Sequence, residues 1–110
     1  MESRKSKRFT TVTFSFVDAA LLRLVLKEIA EFYRFRGSEP EPDFPMPKLF
    51  CCKLSNLTYD GGEELLNWLV ACTRSGVGDS GKRVTTVQKA EQRVILNRIK
   101  ERIQYALDAM

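Results

Sequence analysis

The chain has 110 residues, 44% of them apolar and 29% charged, and a formal net charge of +4. That length fits one domain and leaves no room for a second core, and no apolar run approaches the ~20 residues that span a bilayer. There is no histidine, which removes the commonest general base, the usual partner of a nucleophilic Ser or Cys, and the commonest metal ligand.

The expectation is therefore a non-enzymatic chain with no catalytic residue, no cofactor and no metal. Met1 to Arg8 is basic and is followed by alternation instead of an apolar signal core, so a cytoplasmic location is expected. The segment contributes +3, Ser38 to Glu64 contributes −4, and Lys82 to Met110 returns +4, so the charge is polarised along the chain.

In chain order, residues 1–8 read as a disordered basic tail and 9–110 as one α+β domain. Phe9 to Val17 alternates, with Val12, Phe14 and Phe16 on one side and Thr11, Thr13 and Ser15 on the other, which is the period of a half-buried strand. Asp18 is placed to cap a helix over Ala19 to Arg36, where Leu22, Val25, Leu26, Ile29, Phe32 and Tyr33 recur at helical spacing. Gly37 suits the left-handed residue beyond its end.

Residues 38–48 carry all four prolines and form an extended connector, because proline neither donates to a ladder nor fits a helix interior. Phe44 and Met46 within it either present themselves to a partner groove or fold back on the domain's own core, the second being preferred. Leu49 to Tyr59 reads as a second strand, with Phe50, Cys52 and Leu54 on one face and Lys53 and Ser55 on the other. Asp60 and Glu63 have capping-box spacing ahead of a short helix through Leu65, Leu66, Trp68, Leu69, Val70 and Cys72.

Arg74 to Lys82 is a glycine-bearing loop. Thr85 and Gln88 then repeat the capping-box spacing before a long helix, in which Val87, Ala90, Val94, Ile95, Ile99, Ile103, Ala106, Leu107 and Met110 recur at helical intervals. About 23 residues would reach ~34 Å. Val84 to Val87 is β-branched throughout and competes for a short strand over Lys82 to Val87. The order is thus β-α-β-α-(β)-α, a small two-layer α+β domain with a long C-terminal helix. Were its two firm strands parallel neighbours, their crossover would be right-handed.

The motifs are weak when set against what each chemistry needs. Gly76 to Arg83, GVGDSGKR, departs from the phosphate-loop pattern in its last position, where Arg83 replaces the hydroxyl that holds magnesium. Gly78-Asp79-Ser80-Gly81 is similar to the nucleophile segment of trypsin-like serine proteases, yet a triad cannot be assembled without histidine. Asn56-Leu57-Thr58 is a formal glycosylation acceptor that matters only in a secreted chain. Glu63 and Glu64 point about 100° apart on a helix and do not converge as an acid/base pair. Cys51, Cys52 and Cys72 read as reduced thiols filling small core positions.

Two functional expectations remain. The first is a protein-interaction module that self-associates, expected as a homodimer, through an open strand edge or through Ile95, Leu96, Ile99, Ile103, Leu107 and Met110 on the last helix. Trp68 and Tyr105 are open between core packing and interface anchoring. The alternative is nucleic-acid binding by Arg4, Lys5, Lys7 and Arg8 of the tail together with Lys89, Arg93, Arg98 and Arg102 on the basic side of that helix. Neither expectation involves a membrane.

Overall fold

The computed structural model describes residues 8–35, 46–78 and 84–110. Six elements follow in order: β1 (Thr10–Thr13), α1 (Phe16–Phe35), β2 (Lys48–Phe50), β3 (Lys53–Leu57), α2 (Tyr59–Ser75) and α3 (Thr86–Asp108). The strands form one antiparallel sheet in the order β1-β3-β2. This is the expected α+β order with the long C-terminal helix, but the third strand has a different origin. The segment expected as one strand from Leu49 to Tyr59 breaks at Cys51 and Cys52 into a hairpin, whereas Val84 and Thr85 form no strand. Because β3 lies between β1 and β2, these two run parallel without being neighbours, as in a split β-α-β unit.

The starts of α1 and α2 lie three and two residues ahead of expectation, for local reasons. Ser15 caps α1: its Oγ accepts from the Asp18 amide at 3.3 Å, and its carbonyl accepts from the Ala19 amide at 2.8 Å. Asp18 therefore stands inside the first turn instead of capping it. Thr58 caps α2 by accepting from the Gly61 amide at 2.9 Å, so the Asp60–Glu63 pair is not the cap. Its hydroxyl is buried in that role. The Thr85–Gln88 capping box of α3 is present as expected, with reciprocal bonds of 3.1 and 2.9 Å.

A bulge sets the phase of β3. Thr10 pairs with Leu57 and Val12 with Leu54, so two β3 residues, Ser55 and Asn56, stand against Thr11 alone. Asn56 takes φ 59, a left-handed conformation that asparagine tolerates better than most residues. Leu54 and Leu57, three apart, then both face the core and are fully buried, which a regular strand with its period of two forbids.

One face of the sheet thus presents Val12, Leu54 and Leu57 to the helices. The core gathers Leu22, Val25 and Ile29 from α1, Leu65 and Leu69 from α2, and Leu96, Ile99, Ile103 and Leu107 from α3. Helix α3 packs on both α1 and α2, which meet each other far less. Its approach to α2 is made at Gly62, where an added Cβ would lie 2.5 Å from a Leu107 methyl. At the other end, the Gln92 side-chain amide holds Val77 by two bonds of 2.8 Å, one to its amide and one to its carbonyl. Among the described residues no helix is long and apolar enough to cross a membrane.

Candidate functional site

The apolar stripe of α3 faces inward. Leu96, Ile99, Ile103 and Leu107 are buried in the domain's own core, and Ile95 and Met110 are half-buried against it. The face expected to meet a partner is the face that covers α1 and α2.

The basic residues do not converge on α3 either. Arg98 reaches back to Asp18, its Nε donating at 2.9 and 3.1 Å and its Nη2 at 2.5 Å. Asp18 is 3% exposed in its side chain and Arg98 50% exposed, so the pair closes a buried carboxylate with a cation at the rim. Hydrogen bonding to Asp18, then attraction by its charge, pushes the Arg98 pKa further up. Arg93 and Arg102 are exposed and Lys89 is half-buried. Arg8 is exposed and donates to the Met110 carbonyl at 3.3 Å, tying the start of β1 to the end of α3. Arg4, Lys5 and Lys7, with the rest of residues 1–7, lie outside the described residues.

The surface that does assemble is the open face of the sheet. Thr13 stands opposite Lys53 and Lys53 opposite Phe50, giving one row across three strands in which every residue is exposed. Lys48 pairs with Ser55 in the next row, and Thr11 shares this face through the two-residue period of β1. Phe50 is 84% exposed, and Phe9, just before β1 on the same face by that period, is 59% exposed. The three strands, TTVT, KLF and KLSNL, contain two lysines and no carboxylate. Rows of this kind span roughly 10 Å across three strands.

Phe50, Lys48 and Lys53 were not singled out by the sequence reading. A single strand places Phe50 with Leu54, on the buried side. The two-residue turn at Cys51 and Cys52 pairs Phe50 with Lys53 instead, which moves it to the solvent face. Cys51 has φ 56, the left-handed first position that a hairpin turn of this length normally gives to glycine. Without a glycine or asparagine there, the sequence carries no turn signal.

Of the three cysteines, only Cys72 fills the core position expected of it; Cys51 is exposed and Cys52 half-buried. Burial, then the charge of Glu28 and the 3.8 Å bond donated to it, pushes the Cys72 thiol up to about 12. Burial against the core and its Cys51 neighbour also raise Cys52. Among the described residues, no group of three or more His, Cys, Asp or Glu could hold a metal ion.

Other candidates resolve simply. Trp68 is half-buried and meets Phe32 edge-on at 5.2 Å between ring centroids, whereas Tyr105 is exposed. Met46 packs on the core, as the fold-back reading expects, and Phe44 lies outside the described residues. The GVGDSGKR segment follows helix α2, where a phosphate loop follows a strand. Its Gly76 ends that helix, and residues 79–83 lie outside the described residues. Comparison with family models, with curated proteins and with solved structures finds no match for the chain.

Proposed function

We propose that the chain is a binding module for single-stranded nucleic acid that uses the open face of its sheet. The carrying observation is the row Thr13, Lys53 and Phe50, with Lys48 beside it: exposed cations interleaved with an aromatic ring that is 84% exposed, on strands without a carboxylate. Bases stack on aromatic side chains for about 1–3 kcal/mol each and lysines meet the phosphates, so this chemistry suits an unpaired strand whose bases can splay out. Phe9 extends the platform, and the cations of residues 4, 5, 7 and 8 are tethered to its β1 end by the chain itself.

Self-association through a strand edge has less behind it. The edge strands β1 and β2 have only four and three residues, and β2 carries Lys48; short charged edges are devices that discourage pairing. The reading assigns no catalytic step. Three unpaired thiols accord with a reducing compartment, and a cytoplasmic location is part of the proposal.

The test is fluorescence anisotropy with a labelled mixed-sequence oligonucleotide. Phe50→Ala, at a site too exposed to disturb the core, is expected to weaken binding roughly 5- to 150-fold, the equivalent of losing one stacked base. Affinity unchanged by Phe50→Ala contradicts the proposal.

One observation favours a second reading, a protein partner or a second copy. Phe16 and Val17 are 77% and 59% exposed in the first turn of α1. The Phe14 amide bond to the Cys52 carbonyl puts that turn at the same end of the sheet as Phe50. Phe16→Ser with Val17→Ser separates the readings: nucleic-acid affinity survives it, whereas an apolar protein contact, read as a dimer by light scattering, does not.

A further inference from the structure

Both turn residues of the β2–β3 hairpin are cysteines, and their backbone is clamped. The Cys51 carbonyl accepts from the Arg23 guanidinium at 3.2 Å, and the Cys52 carbonyl from the Phe14 amide at 2.8 Å. On this fixed turn the two sulfurs stand 3.9 Å apart, with Cys51 Sγ donating to Cys52 Sγ. Cys51 keeps a side chain at φ 56, where left-handed backbone favours glycine. The third thiol, Cys72, is buried and bonded to Glu28, which withdraws it from reaction.

We propose that Cys51 and Cys52 form an oxidisable vicinal dithiol that closes reversibly into a disulfide across the turn, with a hydroperoxide as oxidant. The exposed Cys51 sulfur, as thiolate, attacks the terminal peroxide oxygen. The O–O bond breaks, the departing oxygen takes up a proton and leaves as alcohol or water, and Cys51 becomes a sulfenic acid. The Cys52 sulfur then attacks the Cys51 sulfur; the S–O bond breaks, and hydroxide leaves as water with the Cys52 proton. Overall the two thiols give up two electrons and two protons, and the peroxide is reduced by the same two electrons.

The sulfurs close from 3.9 Å to a bond of about 2 Å. Adjacent Cα atoms are about 3.8 Å apart across a trans peptide, shorter than the ~4.4–6.8 Å that most disulfides span. The closed form is therefore a labile disulfide, readily returned to the dithiol by small thiols. This inference rests on the turn alone and is independent of what the sheet face binds.

The experiment treats the reduced full chain with stoichiometric hydrogen peroxide, then counts thiols after unfolding and measures the intact mass. Titratable thiols are expected to fall from three to one, with loss of two hydrogens, no covalent dimer, and recovery on adding dithiothreitol. Cys72→Ser retains the closure. Cys52→Ser abolishes it and leaves Cys51 as a sulfenic acid that dimedone captures. Thiols remaining at three, covalent dimers through Cys51, or a Cys51 sulfinic acid with Cys52 still titratable would each overturn the proposal.

Discussion

Asp18 and Arg98 lie 80 residues apart in the chain and meet in a bidentate pair. On sequence alone, Asp18 has the features of a helix cap and Arg98 those of a surface cation, because neither partner announces the other. Cys72 carries a clearer consequence. Its thiol is held up to about 12 against an ordinary value of 9.0, so between those limits the unfolded chain releases a proton that the folded chain keeps. Stability therefore falls as pH rises from 9 towards 12, and is fully retained below 9. Urea unfolding of Cys72→Ala against wild type should show the variant's alkaline slope flattened; equal slopes would assign the loss to other groups. At Cys51, glycine would relieve about 1–2 kcal/mol of left-handed backbone cost, offset by about 0.4–1 kcal/mol of added freedom in the unfolded chain. Cys51→Gly is thus expected to raise the urea midpoint slightly, and a clear drop would show that the thiol contributes packing at the turn.

At the scale of elements, glycine in the first turn of α2 reads as a weak helix start. The structure gives Gly62 a different role, since its missing side chain admits Leu107. Gly62→Ala gains about 1 kcal/mol of helix propensity but inserts a methyl into a filled contact, an overpacking cost of about 1–3 kcal/mol. Net destabilisation is expected, and Leu107→Ala in the same chain should cost less than it does in wild type; strict additivity of the two changes would mean the contact is not shared. The helices were legible because their apolar spacing and the Thr85 box are local signals. The sheet was legible only to the number of segments. Its hairpin turn consists of two cysteines and its bulge rests on Asn56, and neither leaves a mark in the hydrophobic period. Since the turn decides which face Phe50 occupies, the candidate site was hidden by the same local event that hid the third strand.

At the scale of the whole molecule, among the described residues three helices close one side of the sheet and none covers the other. An antiparallel sheet is stable with one face in water, so stability alone requires neither Phe50 nor the lysines there. The apolar stripe of α3, which by sequence offered a docking face, is consumed in completing the core beneath a short sheet. On the proposed reading the surface that meets a partner is the cationic and aromatic face of the sheet, to which the chain joins the basic residues that precede β1. The salt dependence of oligonucleotide binding tests this most directly. Each neutralised phosphate of a single strand contributes about −0.7 to the slope of log affinity against log salt. Removing two phosphate contacts with Lys48→Ala and Lys53→Ala should therefore make the slope shallower by about 1.4 while the fold is unchanged. A slope identical to that of wild type, or no measurable binding by wild type at low salt, would contradict the account.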